Sequence, residues 1–254
     1  MIKFIKDIFN AVQLNVLKVW IIFFIKKFKY KLSGKNLILI PHPDDEILGV
    51  GGFLLRILKN NGIVHLVYLT NGENSNVWNN KDEIKKQRII LSEKVISELK
   101  LNDNLIIRLN LPDGSVPRER NAGFNEIVDQ IKEIIDTIQP DNVFSTHHLD
   151  YWPYDHVACS QIALEAVKQS AHKPQLWFYW VWAWYNLRPW QLFRLNSRHV
   201  FKVNIRDEKA KKIELMDIYL KALTPDGKPW SGVLPTALIK ASRFPVEIIE
   251  KIEY

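Results

Sequence analysis

The sequence predicts an α/β fold: a mainly parallel sheet with helices on both faces, preceded by a hydrophobic, basic N-terminal helix. Three observations predict it. Short apolar runs at 37–40, 64–70, 105–109 and 142–146 alternate with longer helical stretches at 47–60, 81–100, 122–138 and 156–169. That β-α-β-α rhythm needs crossover connections, which give parallel strands covered on both faces. The strand segment 37–40 is apolar at every position rather than at alternate ones, the pattern of a strand buried on two sides. Polar clusters follow the strands directly, and ligands of such sheets collect at the carboxyl ends of the strands.

Taken in order, Leu37-Ile38-Leu39-Ile40 is a buried strand stopped by Pro41, and the helix after it ends at Asn61-Gly62. Val64–Thr70 is the next strand, followed by a charged amphipathic helix over 81–100. A strand at Leu105–Leu109, a helix ending before Pro140, a strand at Asn142–Thr146 and a helix from His156 complete the alternation. No repeat or long linker interrupts it. The one boundary falls near Ser33-Gly34, separating a segment 1–34 from a domain 35–254.

Charge separates the same two parts. Lys and Arg number 35 against 28 Asp and Glu, a net charge of +7. Residues 1–35 contain eight Lys and a single acid, Asp7, so the whole excess sits in that segment and the remainder is neutral. A basic face for nucleic acid is therefore not expected. The segment is apolar from Ile8 to Ile25, broken by Asn10, Gln13, Asn15 and Lys18. A spanning helix wants about 20 mainly apolar residues, so this is short. Lys26-Lys27-Phe28-Lys29-Tyr30-Lys31 follows in place of a cleavage site. A helix lying in the membrane interface or a tilted anchor is expected, Trp20 and Tyr30 suiting the interface, with a terminal helix packed on the domain as the alternative. The lysines after the apolar core would keep the domain on the cytoplasmic side. A single Cys excludes an internal disulfide and a cysteine-rich metal site.

Three loops that follow strands carry chemistry. Pro41-His42-Pro43-Asp44-Asp45-Glu46 holds more acid than helix capping needs. His42 and Asp45 can supply N and O ligands to one Zn²⁺, leaving Asp44 free beside it. Asp155-His156 opens a helix after the 142–146 strand, with His147, His148 and Asp150 just upstream. A His/Asp/His set with an open position is a usual catalytic zinc pattern, the fourth site holding water. Leu111-Pro112-Asp113-Gly114 alone reads as a common turn and gains weight from its place at the same sheet edge.

Pro41–Glu46 resembles the (A/P)HPDDE signature of the PIG-L-type, or LmbE-like, zinc-dependent N-deacetylases. Leu69-Thr70-Asn71-Gly72-Glu73 is similar to the family's LT-x-GE, Leu111–Gly114 to its LPDG and Asp155-His156 to its downstream DH. The resemblance covers about residues 36–170. It implies a Rossmann-like domain, zinc on His42, Asp45 and His156, and Asp44 as general base. Asp113 and Glu73, in the matched loops, are the substrate-binding candidates. The family often reads H-x-DH, and Pro153 stands here at the position of the extra His. His147, His148 or Tyr154 would then supply the second acid–base group. Asp155 is either an outer partner orienting an imidazole or a plain N-cap.

Residues 176–193, LWFYWVWAWYNLRPWQLF, are half aromatic and hold five of the nine Trp. Buried strands, a sugar-stacking wall and an interfacial patch compete, with contact to membrane or lipid substrate preferred because Arg188, Arg194, Arg198, Lys202 and Arg206 interleave or follow. The function expected is zinc-dependent removal of an N-acetyl group from an amino sugar, on a glycolipid or lipid-linked glycan, by a membrane-associated protein. A zinc amidase acting on a soluble N-acyl conjugate and a membrane-surface binding protein with weakened turnover are the alternatives.

Overall fold

The computed structural model describes all residues except 1, 30–32, 76, 77 and 196, and leaves the side chains of 2–9, 11, 189, 193 and 194 undescribed. The expected positions Tyr30 and Lys31 thus lie outside the described residues. The elements in chain order are α1 (Ile2–Phe24), β1 (Lys26–Lys27), β2 (Lys35–Ile40), α2 (Asp45–Lys59), β3 (Ile63–Thr70), α3 (Lys81–Glu98) and β4 (Ile106–Leu111). Then come α4 (Phe124–Ile138), β5 (Asn142–Thr146), α5 (Tyr154–Gln169), β6 (Gln175–Tyr179), α6 (Ala183–Asn186), β7 (Val200–Asn204), α7 (Lys209–Lys221), α8 (Thr236–Ser242) and β8 (Val246–Ile252).

The strands form one 8-stranded sheet in the order β1-β7-β8-β6-β5-β2-β3-β4. Strands β2 to β6 are parallel to one another, β8 runs antiparallel to both its neighbours, and β1 is parallel to β7. The chain winds outward from β2 through β3 to β4, then returns to pair β5 on the other side of β2. That reversal opens a crevice above the carboxyl ends of β2 and β5, where such folds bind ligands.

Period-two alternation sorts the apolar residues. Ile38 and Ile40 face α2, α3 and α7 in one core, while Leu37 and Leu39 face α4 and α5 in another. Helix α2 changes direction at Val50, which is non-helical (φ −131°, ψ 19°). The peptide groups this exposes are met by a buried ion pair. Glu247 on β8 accepts from the N–H of Gly52 and Phe53, both at 2.8 Å, and Lys212 on α7 donates to the Leu48 carbonyl and to Glu247. Gly49 packs against Tyr179; a Cβ there would lie 2.6 Å from the ring.

Helix α1 packs on the domain through one face. Leu14, Leu17, Ile21 and Ile25 are buried with Trp180, Trp184, Leu187, Val200 and Ile248. Lys202 donates to the last carbonyls of the helix, those of Ile21 and Ile22. Among the described residues no helix is long and apolar enough to cross a membrane. The aromatic belt corrects an expectation. Trp177, Trp180, Trp182 and Trp184 are buried, at 6% exposure or less, as β6 and its continuation pass beneath α1 and between the two cores. Their cost in desolvated N–H is small beside the area they bury. Only Trp190 of the five is exposed, at 63%.

Candidate metal centre

The loop after β2 begins where Pro41 ends the strand, and Asp45 opens α2. Between them Asp44 sits at φ 123°, a left-handed conformation unusual for a residue with a side chain. Strain of this kind costs on the order of 1–3 kcal/mol and persists where neighbours over-determine it. Here the Asp44 N–H donates to Glu46 Oε2 at 3.0 Å, and its carbonyl accepts from Ile47 and Leu48. Glu46 is itself held by the Tyr219 hydroxyl at 2.6 Å. The third acid of the motif thus fixes the backbone of the first.

His42, Asp45 and His156 come together. Asp45 Oδ2 lies 3.2 Å from His42 Nδ1 and 3.1 Å from His156 Nε2. All three residues are buried, and His156 Nε2 has no hydrogen-bond partner among the described residues despite that proximity. An orphaned, buried imidazole nitrogen beside a carboxylate oxygen and a second imidazole nitrogen is a donor set that fits a metal ion. The other nitrogens strengthen the fit. His42 Nε2 meets Asp155 Oδ2 at 3.1 Å and Asp113 Oδ1 at 3.0 Å, and His156 Nδ1 meets Asp150 Oδ2 at 3.1 Å. Metal-bound histidines usually donate their second N–H to a carboxylate in this way, which fixes the tautomer.

His42, Asp113 and Asp155 also lie close enough to share an ion. Their oxygens are already engaged: Asp155 accepts from the N–H groups of Gly114 and Val116, and Asp113 from that of Asn74. The set on Asp45 is therefore the better metal centre, with Asp113 and Asp155 bracing His42. Helix α5 takes no side-chain cap from its N-cap residue Pro153.

Electrostatics follow the geometry. Burial alone would lower the histidines, but the facing carboxylates prevail. His42 is raised well above its ordinary value by Asp113, Asp155 and Asp45, and His156 is raised to about 9 by Asp45 and Asp150. Asp45 is held well below the usual carboxylate range by the two imidazoles, against its burial. Asp44 is pushed well above that range, by burial first and then by Asp45 and Glu46, with Arg88 opposing.

Arg88 is a site residue that sequence reading missed. It is buried on α3, its Nη2 donating to the Pro43 carbonyl at 2.6 Å and lying 3.4 Å from Asp44 Oδ2. Gly72 gives it room, since a Cβ there would meet the guanidinium carbon at 2.4 Å. In sequence it is one charge among many on a charged helix; the Gly next to Glu73 was its only local signal. Asp150, noted only as a neighbour, holds three elements: besides His156 it accepts from the N–H of Val181 and Ala183.

The remaining expected positions are placed as follows. His147 is fully buried, with Nε2 on Glu250 at 2.5 Å and Nδ1 accepting from the Leu149 N–H at 3.0 Å. His148 stacks on it with ring centroids 4.3 Å apart, and burial of that face lowers its pKa to about 4. Tyr154 lies under the Arg118 guanidinium at 3.6 Å. Glu73 Oε1 accepts from the Asp113 N–H at 3.0 Å, joining the loops after β3 and β4.

Solved structures share this architecture. The N,N'-diacetylchitobiose deacetylase from Pyrococcus horikoshii aligns with a TM-score of 0.58 at 20% identity, over 76% of this chain and 72% of that one. A zinc-inhibited form of teicoplanin deacetylase aligns with a TM-score of 0.54 at 13% identity, over 85% and 97%. GalB, a 4-carboxy-2-hydroxymuconate hydratase from a Pseudomonas, aligns with a TM-score of 0.57 at 17% identity, over 87% and 97%. These likenesses establish the fold, and the hydratase among them is a reminder that fold does not fix reaction. No curated protein matches the chain. The family model described as PIG-L, GlcNAc-PI de-N-acetylase, matches residues 37–167, a stretch containing all four motif loops and both imidazoles of the centre, and the chain belongs to that family.

Proposed function

We propose that the protein is a zinc-dependent hydrolase that removes the N-acetyl group from an amino sugar carried on a glycolipid or lipid-linked glycan. One observation carries the reading: two buried imidazoles and the Asp45 carboxylate converge with their outer nitrogens braced by three further acids, and Asp44, next to Asp45 in the chain, is held by Arg88 rather than by an imidazole. Family membership supports amide hydrolysis on an N-acetylated sugar.

His42, Asp45 and His156 would hold the ion, which supplies polarisation of the acyl oxygen and lowers the pKa of a water to about 7. Asp44 takes the proton of the attacking water. Asp44 then returns that proton to the departing amine nitrogen, so one group serves as base and then as acid. This leaves no duty for a histidine at position 153. His147, with both nitrogens engaged, serves the corner between β5 and β8 instead. Arg88 holds the Asp44 carboxylate in place, its Nη2 3.4 Å from Oδ2. Glu73 Oε2 is buried without a partner among the described residues, an acceptor suited to a sugar hydroxyl.

A panel of N-acetylhexosamine lipids and soluble N-acetylated glycans, assayed for acetate after loading with zinc, tests the reading. Release from the lipids that exceeds release from the glycans is expected. No release from any member would remove the deacetylase assignment, and equal release from the lipids and the soluble glycans would remove the preference for a lipid-linked substrate.

A further inference from the structure

Helix α1 is apolar on two opposite faces, and the domain uses only one. Val12, Val16, Val19 and Phe23 recur at the helical spacing of the buried row but on the other side, exposed at 57%, 39%, 53% and 75%. Ile22 and Phe24 widen the stripe at its lower end, at 63% and 65%. At about 1.5 Å per residue the row is about 17 Å long. A contiguous exposed apolar row of this kind marks an interaction surface.

Charge says what covers it. Where the row ends, the surface hollow beside β1 is lined by Lys26, Lys27, Lys29, Arg198 and Phe201, with no carboxylate among them. Aromatic and aliphatic side chains beside a cluster of cations match an acyl layer under anionic headgroups. The middle of α1, where the exposed row begins, is tied toward the active-site edge. Gln13 donates to the carbonyls of Tyr185 and Leu187, Asn186 donates to that of Trp152, and Gln191 donates to the Tyr151 hydroxyl. Tyr151, Trp152 and Trp190 are exposed there, at 51%, 61% and 63%, in and beside the loop that leads to His156. Trp and Tyr favour the interfacial zone of a bilayer.

We infer that the outer face of α1, with the lysines at its end, docks on an anionic phospholipid bilayer and so seats the aromatic rim of the active site at the lipid surface. The inference deepens the lipid-linked substrate reading, and it is tested without turnover so that the two can fail separately.

The full chain is floated with vesicles of phosphatidylcholine alone and of an equimolar mixture with phosphatidylglycerol. Binding to the mixture and little to the neutral lipid is expected. Lys26→Gln/Lys27→Gln/Lys29→Gln should weaken it on the order of 10²-fold, at about fivefold for each lysine near the surface. Val16→Ser/Val19→Ser/Phe23→Ser, which touches only exposed positions, should weaken it about tenfold or more while circular dichroism and thermal melting stay unchanged. The chain left behind by both vesicles, or a serine variant that floats like the original, would overturn the inference. A dimer in solution that the serine variant dissolves, without vesicle binding, would assign the face to a second copy and overturn it too.

Discussion

The parallel strands β4-β3-β2-β5-β6 and the flank β8-β7-β1 both bury acids, with opposite results. On the flank, Glu247 has one lysine and two peptide N–H groups, and the α2 kink closes around it. Both charges of this buried pair are matched, Glu247 by Lys212 at 2.7 Å and by the two peptide N–H groups. Above β2 and β5, Asp44, Asp45, Glu46, Asp113, Asp150 and Asp155 gather around two imidazoles and one arginine. An orphaned nitrogen, a raised carboxylate and a strained backbone remain. Buried charge that is fully matched builds the fold, while buried charge in excess of its partners marks a site.

Substitutions can break that contrast. The largest effect is expected for His156→Ala, which should lose the metal and bring acetate release to background; metal analysis of the purified variant checks it, and full retention of metal would dissolve the assigned centre. Next, Asp44→Asn should keep its metal and lose about 10²–10⁴ in kcat, the usual worth of a general base. Near-normal turnover would move the base elsewhere. Asp150→Asn should weaken metal binding about 10–100-fold through the orientation of His156, read by competition with a chelator.

The flank should answer differently. Lys212→Met leaves Glu247 buried without its cation and should cost about 3–5 kcal/mol in urea unfolding, with kcat unchanged in the folded fraction. Smaller again, Leu17→Ala should cost about 2–5 kcal/mol at most through the cavity under α1, also without change in kcat. A flank variant that lowered kcat at full stability would show that the two regions are coupled.

Local pattern is enough to read the alternation of elements and the parallel sheet, because strand periodicity and post-strand position are local properties, and the four motifs that resemble the family point to His42, Asp44, Asp45 and His156. The helices and strands of residues 35–170 fall within a few residues of their expected bounds. Packing alone decided the rest. The tryptophans of 177–184 look like a surface patch in sequence and lie in the core, since burial depends on what crosses over them. Residue type and spacing give α1 two apolar faces without saying which one the domain covers. Arg88 and Asp150 became site residues only because α3 and the β5–α5 loop bring them beside Asp44 and His156. Arg88 stands far from Asp44 in sequence, and Asp150 is fixed through the backbone N–H groups of the distant Val181 and Ala183, so neither leaves a periodic trace and folding alone pairs them.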